Sequence, residues 1–260
     1  FDSSMTGAPV LSGTAGALRA VLKACLVDGF GAGAVATLTV AAGIATASFA
    51  GAHPYRIGTI AQFGGATPAG LNGQKRILST TASAITFDAT GIADGTATGT
   101  ITHKVAPAGW QELFAGSVTN VLCLKPTVVE ATGCVLRIAD TGTTNARVRA
   151  YEAMTDASTG TGPTPLESQL AGGLYWPKSS VANATARPWI VIADGRGVYL
   201  AGDPTGTGRY TLTYSGDIAS LKSGDAYGYL LTGNQADQTN TSSVPDGCVG
   251  YSHRSARAGA

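Results

Sequence analysis

Apolar residues first recur along the chain with helical spacing. Leu18, Val21, Leu22 and Cys25 stand at i, i+3, i+4 and i+7, one buried stripe of a helix predicted over Thr14–Val27. Ser12 or Thr14 is placed to cap its start, Asp28-Gly29 supplies the stop, and Arg19 and Lys23 fall four apart on the solvent side. From Val35 the period changes to two. Val35–Val40 and Ile44–Ala50 read as strands joined by an Ala41-Ala42-Gly43 hairpin, with Leu38 and Val40 on one face and Ala45, Ala47 and Phe49 on one face. Further strands are predicted at Ile57–Phe63, Lys75–Ser79, Ala84–Phe87 and Gly99–His103, separated by turns at Gly64-Gly65, Leu71-Asn72-Gly73 and Asp94-Gly95. Six short strands in about seventy residues is the density of a small barrel or sandwich.

After Pro107 larger residues return, led by Trp110 and Phe114. Val118–Leu124 and Cys134–Ile138 read as strands, and Asp140-Thr141-Gly142-Thr143-Thr144 turns the chain into Ala146–Tyr151. There Arg147 and Arg149 alternate with Val148 and Ala150, giving one charged and one apolar face. A polar loop over Thr155–Pro165 precedes strands at Leu174–Trp176 and Trp189–Ala193. Asp194-Gly195-Arg196-Gly197 is a hairpin turn into Val198–Ala201, followed by Arg209–Tyr214 and by Tyr227–Leu231 as the last strand of substance. A polar, small-residue tail starts at Ser252. The pattern predicts a mainly β chain. Residues 1–32 and 105–260 form a discontinuous β-sandwich or barrel-like outer domain with one short N-terminal helix, and residues 33–104 form an inserted small all-β domain.

Composition sharpens this picture in two respects. The chain is 44% hydrophobic but only 13% charged, about half the usual charged share. Its net charge of +1 argues against electrostatically driven nucleic-acid binding and leaves little repulsion between copies. Burial of surface against other subunits is the expectation that follows. No apolar run approaches the roughly 18 to 20 residues of a membrane span, and Gly31–Ala52 alternates like strands. No signal peptide is visible, and an opening on Phe1 rather than Met raises processing as an expectation.

Candidate chemistry is sparse. The chain has no phosphate-binding G-x-x-x-x-G-K-[ST], no H-E-x-x-H and no G-x-S-x-G. Gly29-Phe30-Gly31-Ala32-Gly33 follows a helix where a dinucleotide loop would follow a strand, and reads as a link. Cys25, Cys123, Cys134 and Cys248 form no C-x-x-C pair; buried free thiols are expected, with a Cys123–Cys134 disulfide as the alternative. His53, His103 and His253 lie far apart and suit surface or turn roles, although His53 and His103 could meet near the base of the insert. Glu152 and Asp156 are the best carboxylates for hydrolysis, against a solvated loop edge as the favoured reading. No catalytic, cofactor or metal site is expected. Tyr175, Trp176, Arg187 and Trp189, set among Pro177 and Pro188, are the candidate interface. Core packing is the favoured reading of these rings, the subunit interface comes second, and carbohydrate stacking is a third reading.

Several stretches carry a family likeness. They are Ala24-Cys25-Leu26-Val27-Asp28-Gly29-Phe30-Gly31, Leu136-Arg137-Ile138-Ala139-Asp140-Thr141-Gly142, and Arg147 through Asp156 running into Thr159-Gly160-Thr161-Gly162-Pro163. Gly172-Gly173-Leu174-Tyr175-Trp176-Pro177-Lys178-Ser179-Ser180 and Ala186-Arg187-Pro188-Trp189 continue the series. Together they resemble a family of virion structural proteins from tailed bacteriophages, over roughly residues 8–32 and 105–231. In that family a much shorter connection joins the helix to the Trp110 region, so residues 33–104 look like an insertion. The insertion itself resembles small β modules of phage tail and surface proteins, through Ala52-His53-Pro54-Tyr55-Arg56-Ile57-Gly58 and Gly65-Ala66-Thr67-Pro68-Ala69-Gly70-Leu71-Asn72-Gly73. It departs from them in carrying His53-Pro54 where such modules tend to have His-Gly.

The resemblance implies a non-enzymatic structural component of the virion, assembled in the bacterial host cytoplasm. It would be a capsid decoration or cement protein, or a tail-associated one, present in multiple copies. The implied partners are copies of itself and major capsid or tail proteins. The alternative is a host-surface module that binds a glycan or protein, and a polysaccharide or cell-wall hydrolase ranks third. The acceptor patterns Asn183-Ala184-Thr185 and Asn240-Thr241-Ser242 are incidental in a protein of this kind.

Overall fold

A computed structural model describes residues 1–219, 224, 226–237 and 248–253. The chain is mainly β, with two curled antiparallel sheets and one short N-terminal helix. It divides into two compact units, one of residues 1, 3–8 and 28–107, the other of residues 2 and 9–27 and those from 108 onward.

The smaller unit is one eight-stranded antiparallel sheet. Its strands are β1 (Phe30–Ala34), β2 (Thr37–Ala41), β3 (Ile44–Ser48), β4 (Ile60–Gly64), β5 (Gly73–Thr80), β6 (Ala84–Asp88), β7 (Gly95–Thr96) and β8 (Thr102–Val105), in the order β1-β8-β4-β5-β6-β3-β2-β7. The hairpin between β2 and β3 closes on Ala42 and Gly43, both at positive φ (49° and 77°), the double left-handed geometry that matches strand twist. Alternation then fixes the core. Leu38, Val40, Ala45, Ala47, Ile77, Ile85 and Phe87 are buried, and Phe63 packs on Phe87 with ring centroids 4.9 Å apart. One expectation fails at the start: Gly29–Gly33 is no link, because Phe30–Ala34 pairs with β8. Its glycines permit close approach, since a Cβ on Gly31 would lie 2.8 Å from the Thr6 carbonyl and one on Gly33 2.9 Å from His103 Nε2.

In the larger unit α1 spans Ala17–Lys23 and continues through a π-turn over Ala24–Asp28, ending at Gly29 with φ 75°. Leu18, Val21, Leu22 and Cys25 are all fully buried, as their spacing predicts. The start and the cap differ from expectation. Gly16 occupies the N-cap in a left-handed conformation without a side-chain bond, while the Ser12 and Thr14 hydroxyls hydrogen-bond each other at 2.9 Å. Asp140, distant in sequence, caps the helix instead: its Oδ2 accepts the Arg19 N–H at 2.9 Å and its carbonyl accepts the Gly16 N–H at 2.8 Å. Arg19 and Lys23 are not simply solvated, because both pair with the Glu112 carboxylate. Truncating Leu22 to alanine is expected to cost about 2 to 5 kcal/mol, read as a lower midpoint at unchanged slope in urea unfolding.

The strands of this unit are β9 (Gln111–Leu113), β10 (Val121–Lys125), β11 (Val135–Ala139), β12 (Asn145–Tyr151), β13 (Ala153–Met154), β14 (Gly160–Thr161), β15 (Leu174–Pro177), β16 (Trp189–Ala193), β17 (Gly197–Gly202), β18 (Thr211–Asp217), β19 (Tyr229–Asn234) and β20 (Cys248–His253). All but the β13–β14 hairpin join one ten-stranded sheet, ordered β16-β17-β18-β19-β15-β12-β11-β10-β9 with β20 against β19. Strand β20 corrects the expectation that the Tyr227–Leu231 region holds the last strand. Its polar, glycine-containing sequence hid it, and the partner's register defines it.

One face of this sheet carries the main core. Leu122, Ile138, Val148 and Leu174 lie in register across four strands, with Trp176, Trp189, Val191, Val198, Leu200 and Leu231 on the same side by alternation. On the opposite face Val121, Cys123 and Val135 form a second cluster with Ala157, packed by Leu113, Phe114, Ala139 and Met154. Three arginines hold loops over that face. Arg137 Nε donates to the Ala157 carbonyl at 2.6 Å, Arg147 donates to the Gly173 and Ala171 carbonyls, and Arg149 donates to Leu170 and pairs with Glu167. The charged stripe read from the sequence is therefore a set of loop clamps.

Candidate functional site

The four candidate interface residues fall in the larger unit, in different roles. Trp176 and Trp189 are fully shielded, and each ring N–H is satisfied inside the unit. Trp176 Nε1 donates to the Thr232 carbonyl at 2.7 Å and Trp189 Nε1 to the Pro9 carbonyl at 3.0 Å. Core packing, the competing reading, describes both rings. Arg187 is buried as well, donating to Ser179 Oγ and the Thr205 carbonyl, each at 3.0 Å. Tyr175 is half-buried beneath the Arg147 guanidinium, whose central carbon lies 3.7 Å from the ring centroid.

The remaining candidates resolve similarly. Asp156 Oδ1 accepts the Ser158 and Thr159 N–H groups, which hold its carboxyl below the usual range, so it shapes an exposed turn. Glu152 lies at the base of the same loop, half-buried against Gly162. Cys25, Cys123 and Cys134 are buried, the first two as free thiols; burial pushes Cys25 up to about 12 and Cys123 to about 11, which makes both thiols unreactive. The Cys123–Cys134 bridge is absent. Cys123 faces Arg137 across β11, so the register sets Cys134 beyond reach along the strand. Among the described residues no group of His, Cys, Asp and Glu could hold a metal ion, and no helix is long and apolar enough to cross a membrane. The side chains of Cys248 and His253, the Asn240-Thr241-Ser242 pattern and most of the tail from Ser252 lie outside the described residues.

In the smaller unit His53 and His103 do come together, around Phe49 and Tyr55. Phe49 lies 4.5 Å from His103 and 5.1 Å from His53 by ring centroids, and the Tyr55 hydroxyl shares a 2.6 Å hydrogen bond with His103 Nδ1. The sequence assigned His103 a surface or turn role; it is instead a buried core residue, because its alternation in β8 points it inward. Desolvation first, then the neighbouring His53, holds its pKa below 6.5. A depressed histidine favours the fold above its unfolded value and withdraws that support as pH falls. Melting temperature is therefore expected to drop as pH is lowered from about 6.5 toward 5, and His103→Gln should flatten that slope.

What the sequence did not single out is the open part of the outer face, over β16 to β19. Register sets Ile192 opposite Tyr199, Tyr199 opposite Tyr214, and both Ile190 and Leu212 opposite Ala201. Ile192 is 66% exposed, Leu212 57%, Tyr199 45% and Ile190 39%, an unusual concentration for one sheet face. Tyr214 lies across Gly197 and Gly216, a cross-strand pair where a Cβ would come within 2.9 and 2.7 Å of its hydroxyl. That hydroxyl donates to the Asp217 carbonyl at 2.8 Å, and burial with Tyr199 nearby pushes its pKa up to about 12. Two adjoining grooves of about 440 and 550 Å³ run along this face, bounded by Asp194 and Arg196 at one end and Leu230 and Thr232 at the other. Asp194 Oδ1 forms the turn itself, accepting the Arg196 and Gly197 N–H groups at 2.8 and 2.9 Å. A signal was present: Trp189-Ile190-Val191-Ile192 is apolar at both parities, which marks a strand with two faces to cover. Compared with known proteins, the chain matches no family model, no curated protein and no solved structure.

Proposed function

We propose that this chain is a non-enzymatic structural component of a tailed-phage virion, a decoration or tail-associated protein present in many copies. The observation that carries the reading is the exposed apolar face over β16 to β18, on a chain with 13% charged residues and a net charge of +1. Such a face suits packing against other proteins rather than permanent exposure to water. The ordered motifs from Leu136 to Trp189 support the same reading, since they resemble virion structural proteins. The buried aromatics, the arginine-clamped loops and the inert thiols suit a rigid building block. Electron microscopy of phage particles labelled with an antibody to this chain tests the proposal. Regular labelling of heads or tails is the expected result, and unlabelled particles carrying no copy of the chain would overturn it.

A further inference from the structure

We infer that the open face of β16 to β18 is a homotypic interface, and that its occupant is the same face of a second copy of this chain. The inference rests on the structural reading above and names the partner of that surface. Two observations select a copy over other occupants. The first is charge. Arg196 and Asp194 both lie exposed at one end of the apolar patch; Arg196 Nε reaches the buried Asp217 carboxylate at 3.4 Å, which the Thr132 N–H and hydroxyl also hold, yet the Arg196 side chain stays 50% exposed. One exposed cation beside one exposed anion is self-complementary. A two-fold operation brings each Arg196 to the other copy's Asp194 without leaving a like-charge contact. A partner with a strongly charged surface finds no counterpart here.

The second observation is the shape and chemistry of the apolar part. Ile190, Ile192 and Leu212 are aliphatic, and the Tyr199 and Tyr214 rings, 4.5 Å apart, are tilted 43° to one another. The two rings therefore do not make one continuous flat aromatic platform. Interdigitating aliphatic side chains around two tyrosines is instead how the core of a subunit contact is built.

Sedimentation velocity of the full chain over a range of concentrations tests the inference, with Ile192→Glu, Tyr199→Ser and Arg196→Glu beside the wild type. Unchanged circular dichroism melts would show that each variant folds. The wild type is expected to dimerise reversibly, and Ile192→Glu to weaken association at least about tenfold, with smaller losses in the other two. A wild type that stays monomeric at about 100 µM overturns the inference, as does a dimer that all three variants leave intact. Retention of monomeric wild type on immobilised bacterial polysaccharide, lost in Tyr199→Ser, would overturn it in favour of a glycan. The two proposals fail separately. Monomers found on particles would sink the homotypic contact alone, and a face-dependent dimer absent from particles would sink the virion reading alone.

Discussion

Replacing Lys178 with methionine is expected to destabilise the larger unit by about 3 to 5 kcal/mol at neutral pH. Lys178 and Asp140 form an ion pair in which both side chains are fully buried. The Lys178 ammonium also donates to the Thr14 carbonyl at 2.6 Å, while Asp140 accepts the Arg19 N–H at the start of α1. The pair thus ties the helix entrance to β11 and to the segment after β15. Methionine keeps much of the volume but leaves a buried carboxylate without its cation and the Thr14 carbonyl without its donor. Burial already pushes the Asp140 carboxyl up, with the Lys178 hydrogen bond as the largest opposing influence, so losing Lys178 raises it further. A carboxyl raised above its unfolded value supports folding below that value and loses the support as pH rises. The deficit of Lys178→Met against wild type should therefore shrink as pH falls from 7 toward about 4. Urea unfolding at several pH values reads it directly. A companion Asp140→Asn/Lys178→Met variant is expected to recover part of the loss, since no uncompensated charge remains. Equal deficits at all pH values would show that lost packing, not charge, dominates.

Trp176→Ala and Trp189→Ala are each expected to cost about 3 to 5 kcal/mol. Both rings are shielded from solvent and both indole N–H groups hold carbonyls, of Thr232 and Pro9. Truncation therefore opens a cavity and orphans an acceptor. Trp189→Phe, which keeps an aromatic ring but not the donor, should cost less than Trp189→Ala. Guanidinium unfolding measures the losses, and sedimentation gives a second reading. Variants that still fold should keep the wild-type association, because the rings lie inside the unit, whereas Ile192→Glu should lose it. A Trp189→Ala protein that stays stable but no longer associates would return that ring to the interface.

Much of the fold was legible in the sequence because strand and helix periodicity are local. Leu18, Val21, Leu22 and Cys25 bury as one stripe, and Leu38, Val40, Ala45, Ala47 and Phe49 bury as alternating sets, since backbone geometry alone decides which neighbours share a face. The hairpins at Ala42-Gly43 and Asp194-Gly197 were equally visible, because positive φ and carboxylate-to-amide bonding belong to the residues in the turn. Where glycine or polar residues stood in place of a hydrophobic pattern, as in Phe30–Ala34 and Cys248–His253, the strand was defined only by its partner.

The candidate site was less legible. Tyr175, Trp176, Arg187 and Trp189 were recognisable as large side chains next to prolines, but composition cannot say on which face of a sheet a ring lies. Register decided it. Alternation from Trp189 turned that ring and Val191 inward and left Ile190 and Ile192 on the open side, beside Tyr199, Tyr214 and Leu212 from two other strands. The Asp140 cap on α1, 121 residues from Arg19, and the Lys178 partner of Asp140, 38 residues away, likewise exist only once the chain has folded. Local sequence determines which residues alternate and where the chain turns. Which buried charge meets its counter-charge, and which apolar face is left without a cover among the described residues, depends on contacts between segments that no local pattern encodes.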